Sequence, residues 1–201
     1  SKAVDILYEV TTNPEFLNVL TVSGAMTPAK MGYVICDMIE LGMAGMLVTT
    51  GANISHGFIE GSGMQHYKHD ACFGDEEYAR VGMNRIYDTV EPETNFETAE
   101  KLADRAFSRL KPRIPYSSID IMQALGEMLS EKKGRGILKS AFELGVPIVS
   151  PEFTSSEMFL TLDDYNRGRE QGGKQPIFYD AGHDWRYYFN AVQDSQRLGI
   201  F

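Results

Sequence analysis

The sequence predicts an α/β fold, a parallel sheet flanked by helices, and three observations carry that reading. Asn18–Val22 is a short apolar run with β-branched Val19, Thr21 and Val22, so it reads as a buried strand. Met31, Val34, Ile35, Met38, Ile39 and Leu41 then recur at helical spacing, and Gly42 ends that helix before a second strand, Met46–Thr49. A strand-loop-helix-strand unit returns the chain in its starting direction, which favours parallel pairing. Thirdly, Glu40-Leu41-Gly42, Glu143-Leu144-Gly145 and Arg197-Leu198-Gly199 each end a predicted helix ahead of an apolar run. They read as three helix-to-strand joints of one sheet.

The remaining elements follow in order. Ala3–Thr12 is helical by pattern and ends at Asn13-Pro14. Thr27 is placed to cap the helix after the first strand, with Pro28 in its first turn. Thr50 to Asn53 reads as a loop, and Gly57 to Gly74 as an irregular excursion. Asp75 to Thr89 holds a short helix and a strand at Arg85–Thr89, and Glu91-Pro92-Glu93 is a break. Asn95–Leu110 is a helix. Ser117 with Asp120 forms a capping box for another, running to about Glu131. Gly134–Leu144 is a helix, Val146–Val149 a strand and Met158–Tyr165 a short helix. Asn166 to Lys174 reads as a polar surface loop, Ile177–Tyr179 as a strand and Asp184–Leu198 as a final helix. Asp184 reads as its N-cap, Trp185 and the methionines as packing, and Leu198 to Phe201 as the start of a strand.

Composition narrows the function classes. At 201 residues and 43% hydrophobic, the chain can bury a core and is most simply one domain, 1–201. The net charge of −9 argues against nucleic acid and suits a cationic ligand. Only Cys36 and Cys72 are present, so no disulfide framework is implied and a reducing compartment, the cytoplasm, fits. No apolar run spans a bilayer and no signal peptide is visible, so no membrane partner is expected.

Ligands of parallel sheets collect beyond the carboxyl ends of the strands. Ser23-Gly24-Ala25-Met26-Thr27 and Thr50-Gly51-Ala52-Asn53 lie at two such ends. Their hydroxyls and backbone N–H groups suit phosphate or ribose, and a helix start at Thr27 favours an anion. Ordinary tight turns would look the same, and neither GxGxxG nor a Walker-type GxxxxGKS is present. His66, His69 and Cys72 stand three residues apart, but the surrounding glycines argue against a regular helix and no fourth ligand is evident. They are assigned to packing or to a pocket wall, and no metal is expected.

Five segments together resemble a known family. SGAMTPAKMG with LVTTGANISH, GMNRIYDT at Gly82–Thr89, VPIVSPEFTSSE at Val146–Glu157 and IFYDAGHDW at Ile177–Trp185 are similar to the deoxyhypusine synthase family, especially its bacterial deoxyhypusine synthase-like branch. The resemblance implies a Rossmann-like NAD-binding fold and a homotetramer with sites between paired subunits. It implies NAD-dependent transfer of an aminobutyl group from spermidine, or a related polyamine, to a protein lysine or a free amine. It places NAD across Ser23, Gly24, Ala25, Met26, Thr27, Thr50, Gly51 and Ala52, with Ser155 near a ribose. Ser55 and His56 stand at the family's polyamine-contact positions, and Glu157, with Glu152, is expected to supply replacement charge for the polyamine.

The chain departs from the family pattern in places. A pair of glutamates in eukaryotic members falls where Ser55 and His56 stand. Ser155 replaces a ribose-binding aspartate, and Leu160 a spermidine-binding one. The family's Schiff-base lysine lies in a Trp-Gly-Lys motif and its catalytic histidine follows a glycine-rich strand. Neither motif occurs in this chain, so it is expected to hold no catalytic residue, and Lys30, Lys68 and Lys174 are no substitutes. Against the family, the chain reads as an internal portion truncated at both ends, and the portion alone is expected to bind NAD weakly. The competing reading is a non-catalytic NAD-site scaffold or partner subunit, which the missing carboxylates favour. A plain α/β module for another small ligand comes third.

Overall fold

Four parallel strands carry the molecule, in a computed structural model that describes residues 1–200. In chain order the elements are α1 (Lys2–Thr12), β1 (Phe16–Val22), α2 (Gly32–Glu40), β2 (Met46–Thr49), α3 (Gly51–Gly61) and β3 (Tyr67–Lys68). There follow α4 (Asp75–Arg80), β4 (Met83–Ile86), β5 (Thr89–Pro92), α5 (Thr94–Phe107), β6 (Pro115–Tyr116) and α6 (Ser118–Ser130). The last third holds α7 (Ile137–Leu144), β7 (Ile148–Val149), α8 (Glu157–Gln171), β8 (Phe178–Tyr179), α9 (Ala181–Asp194) and β9 (Arg197–Ile200). The main sheet has the order β7-β2-β1-β9, every pair parallel, with Val19 opposite Met46 and Leu47 opposite Ile148.

Both faces of that sheet are covered, and the strand period shows how. Successive side chains point to opposite faces. Leu20, Leu47 and Ile148 join a core built with α2, α3, α5, α6, α7 and α8. Their neighbours Val19, Met46 and Val149 pack on the other face with Ile119 and with Tyr188 and Ala191 of α9. This two-sided burial is why the strands read as apolar runs rather than alternations. Gly42 and Gly145, at φ 71° and 68°, take the left-handed conformation expected where a helix ends. The Ser117–Asp120 capping box is present on α6.

Several expectations need correction. Thr27 caps no helix: it is buried in a turn, Pro28 with it, and α2 starts five residues later at Gly32. The Thr50–Asn53 loop and the first part of the supposed excursion form α3, capped by Thr50. The strand expected at Arg85–Thr89 is a hairpin instead: β4 and β5 pair antiparallel in a separate β3-β5-β4 sheet, and the supposed break at Glu91-Pro92 is part of β5. Ile177–Tyr179 contributes β8, which pairs with β6 outside the main sheet.

The polar stretch after Tyr165 continues α8. Asn166 gives its amide to the backbone of Ile177 at both ends, 2.9 and 2.8 Å, and so docks the helix against the following strand. The cap of α9 is Asp180. Asp184 is 2% exposed and accepts bonds from the Ser118 N–H and hydroxyl and from the Tyr179 hydroxyl. Trp185 is no core residue; it is 64% exposed. Met26 and Met31 are exposed as well, whereas Met46, Met122, Met128 and Met158 are buried. Gly199 ends no helix. It lies within β9, where a Cβ would stand 2.2 Å from a Val10 methyl of α1. Phe201, the end of that expected strand, lies outside the described residues.

α3 is the helix that positions the rest of the site, with nine of its eleven residues buried. A Cβ on Gly51 would stand 2.4 Å from the Ser156 Cβ, so glycine there lets the start of α3 meet the start of α8. Gly51→Ala is expected to cost about 1–3 kcal/mol of stability through overpacking. A lower urea midpoint checks this; an unchanged midpoint would show that the two helix starts can separate freely.

Candidate functional site

The carboxyl ends of β1, β2 and β7 open onto a groove of about 330 Å³, lined by Val22, Ser23, Thr49, Thr50, Pro151 and Glu152. A second, more apolar cavity of about 320 Å³ shares Val48 and Pro151 with it and is walled by Val149, Trp185 and Tyr188. Exposed Trp185 therefore belongs to the rim of this edge. The strand order reverses at β1, since β2 and β7 lie to one side and β9 to the other. Reversals of this kind are where parallel sheets hold ligands.

The loop after β1 and the start of α3 frame the groove, and two side chains, Thr50 and Asn53, tie them together. The Thr50 hydroxyl donates to the Gly24 carbonyl at 2.6 Å and accepts from the Asn53 N–H, capping α3. The Asn53 carboxamide oxygen accepts the Thr27 N–H at 3.2 Å, and its NH2 donates to the Thr49 hydroxyl at 2.9 Å. Thr49 in turn donates to the Val22 carbonyl. The start of α3 therefore meets the sheet edge, with its first N–H groups and positive dipole end. That helix start is at Thr50, not at Thr27, whose N–H and hydroxyl are both engaged by Asn53.

The expected cofactor residues fall into two groups. Ser23 and Gly24 are exposed at the groove, Thr50, Ala25 and Ala52 are half-buried, and Met26 is exposed. Gly24 holds φ +65°, and a Cβ there would meet nothing within 4 Å, so its outer side is open. Gly51 and Thr27 are buried and face protein. Ser155 is exposed in a short turn after Glu152, to whose carbonyl its hydroxyl donates at 2.8 Å. Glu157 is exposed in the first turn of α8. Ser55 is 2% exposed and its hydroxyl accepts the Met158 N–H, so it presents nothing to a polyamine. At the carboxyl end of β7, the buried Ser150 hydroxyl has no hydrogen-bond partner among the described residues.

His56 also points inward, into a polar cluster. Its Nδ1 lies 3.1 Å from His66 Nε2 and 3.2 Å from Glu91 Oε1, and His66 Nε2 lies 3.2 Å from Glu91 Oε2. His66 Nδ1 is 3.0 Å from Glu60, and Lys30 bonds Glu60 at 3.1 Å and the His66 carbonyl at 3.0 Å. Burial by itself would raise the Glu91 carboxyl, but the His56 and His66 imidazoles outweigh it and hold the group down at about 2. Burial likewise pulls His66 towards neutrality, and the Glu60 and Glu91 carboxylates reverse that. His69 and Cys72 take no part: His69 pairs with the Tyr78 hydroxyl and Cys72 is an exposed free thiol.

Asn53, Glu60 and Glu91 were not singled out from the sequence. Asn53 stands three residues after a threonine, the spacing at which a capped helix start places its N3 residue. Glu91 gave no signal, because an acid before proline reads as a turn.

The family model described as deoxyhypusine synthase matches residues 1–201. A Methanosarcina thermophila protein named "Probable deoxyhypusine synthase" is 32% identical over 199 residues, which are 99% of this chain and 60% of that protein. A "Deoxyhypusine synthase-like protein" of Elusimicrobium minutum is 35% identical over 67% of this chain and 37% of its own length. Among solved structures, a "putative deoxyhypusine synthase" from Entamoeba histolytica superposes with a TM-score of 0.73 at 14% identity, covering 99% of this chain and 67% of that one. This last likeness concerns the fold. The chain spans about 60% of the length of the first curated relatives it matches.

Asn53→Ala is expected to cost about 1–3 kcal/mol, because it orphans the buried Thr27 N–H. Urea denaturation reads the loss, and faster hydrogen exchange at the Thr27 amide locates it. Thr50→Val removes the cap of α3 and is expected to cost about 0.5–2 kcal/mol, read the same way.

Proposed function

Because this chain belongs to the deoxyhypusine synthase family, we propose that it forms the cofactor-binding part of a transferase that uses NAD. In this reading the enzyme moves an aminobutyl group from spermidine, or a related polyamine, to a protein lysine or a free amine. The observation that carries the reading is the groove at the carboxyl edge of the parallel sheet, lined by Ser23 and Thr50, with open space on the outer side of the neighbouring Gly24.

The residues fit a dinucleotide at that edge. Gly24 leaves room for close backbone approach, and the first N–H groups of α3 suit a phosphate. Ser23 and Ser155 offer hydroxyls to ribose, and the unpartnered Ser150 hydroxyl lies on the same edge. Bound there, NAD supplies reversible hydride acceptance. The chain's own residues bind and orient it, with Val149, Trp185 and Tyr188 excluding water along one flank. Glu152 at the groove and Glu157 on α8, with the net charge of −9, supply a field that favours a cationic polyamine. Thr27, Gly51 and Ser55 act as framework and hold the loops.

A scaffold or partner-subunit role is the second reading. It is favoured by the commitment of Ser55 to Met158 and by Leu160, an exposed apolar residue where the family has an acid. A cytoplasmic setting suits the free thiols Cys36 and Cys72.

Calorimetry of NAD with the full-length protein tests the placement. Gly24→Val is expected to weaken binding at least about tenfold, or about 1.4 kcal/mol. Ser155→Ala is expected to lose about 1 kcal/mol. Unchanged affinity in both variants sinks the proposed site. With labelled spermidine, transfer to an acceptor supports the enzyme, and NAD binding without turnover supports the scaffold. Light scattering at micromolar concentration is expected to give the mass of a homotetramer, and a monomer mass overturns that assembly.

A further inference from the structure

We propose that His56, His66 and Glu91 form a binding site for one divalent transition-metal ion of the zinc type. The three side chains come from α3, from the loop before β3 and from β5. All three are buried, and one ligand atom from each lies within 4.8 Å of the others.

The geometry already has the size of a metal site. The closest separations are 3.1 Å between the two imidazole nitrogens and 3.2 Å from each to a Glu91 oxygen. Four ligands around zinc at about 2.0–2.1 Å stand about 3.3 Å apart. The two nitrogens face different oxygens of Glu91, so an ion seated between them meets both carboxylate oxygens. Two imidazoles and one carboxylate are also a donor set that zinc accepts in open, three-ligand sites.

The cluster concentrates three ligand groups away from solvent. Glu91 has no exposed side-chain surface, and neither of its oxygens receives a well-aligned hydrogen bond despite the two imidazole nitrogens at 3.2 Å. The two imidazoles alone balance the charge of that buried carboxylate. The His56 and His66 nitrogens face each other at 3.1 Å, so N–H groups on both would repel. A dication takes the place of protons on those nitrogens, which leave to solvent, and accepts all three side chains at once.

The surrounding shell is that of a metal ligand. Metal-binding imidazoles commonly donate their second N–H to a carboxylate, which fixes the tautomer and the ring. Glu60 plays that part for His66 and is itself held by Lys30. A cavity of about 370 Å³ lined by Lys30, Glu60 and His66 adjoins the cluster and provides an approach for the ion. No short spacing motif announces the site, because its residues lie on three separate elements.

The test uses full-length protein stripped with chelator, without NAD, so that it stands apart from the cofactor reading. CoCl2 is expected to bind at one ion per chain with the intense visible bands of a four-coordinate site, and ZnCl2 to displace it. Glu91→Gln is expected to weaken binding at least a hundredfold. Glu60→Gln, a change to a positioning residue, is expected to weaken it about 10–100-fold. His69→Ala should leave it unchanged. Should Glu91→Gln not fold, X-ray absorption on the zinc-loaded wild type reads the ligands directly, and two imidazoles with carboxylate oxygen are expected. The proposal is overturned if stripped, folded wild type takes up no stoichiometric ion. Sulfur in the ligand shell, unchanged binding in folded Glu91→Gln, or loss of binding in His69→Ala overturns it equally.

Discussion

A helix with solvent on almost no side constrains everything around it. α3 begins at the edge of the parallel sheet and runs into the protein between α5, α7 and α8. Every polar side chain on it must find a partner inside, because an unpaired buried polar group costs more than a bond returns. Asn53 ties the loop after β1 to the end of β2, Ser55 receives the start of α8, and His56 meets His66 and Glu91. The groove and the buried cluster are thus two ends of one element. The helix start is turned towards the sheet edge, where its dipole favours an anion. Six residues later, roughly 9 Å along the axis, the same helix delivers an imidazole to a carboxylate that water does not reach.

Charge is arranged differently inside and outside. Lys30, Glu60, His66 and Glu91 alternate in sign from the surface inward, each within 3.2 Å of the next. Such a series is strongly coupled because little solvent screens it. Arg135, with bonds to Asp37 and Glu40, looks just as dense on paper. It is partly exposed, however, and pairs of that kind contribute little to stability. Its role is to hold the loop before α7 against α2.

The same contrast governs the rim of the groove. Asp184 lies close to Trp185 in sequence and the two line one cavity, yet one is buried and the other exposed. Asp184 accepts from Ser118 and Tyr179, fastening α9 to α6 and β8, and burial together with this carboxylate pushes the Tyr179 hydroxyl up. Trp185 and Tyr188 then stand on a fixed helix beside the strand ends, an apolar flank next to a polar edge. A rigid apolar wall with a few oriented polar groups is the usual make-up of a small-molecule site.

By itself, the sequence determined the parallel core, the glycine stops at Gly42 and Gly145, the capping box at Ser117 and the loop that follows β1. Those features depend on neighbours within a few residues, on side-chain period and on backbone conformations that one residue type favours. The family was legible for a related reason, since its motifs are contiguous words at that same edge. Only the tertiary structure decided that Thr50 and not Thr27 opens a helix, that Glu91 is buried in a strand, that Gly199 faces Val10, and that Asp184 is an internal anchor. Each of these depends on a partner from another element; Ser118 and Asp184, for example, are 66 positions apart. A buried polar group is stable only when such a partner is brought to it, and that pairing has no periodic trace along the chain.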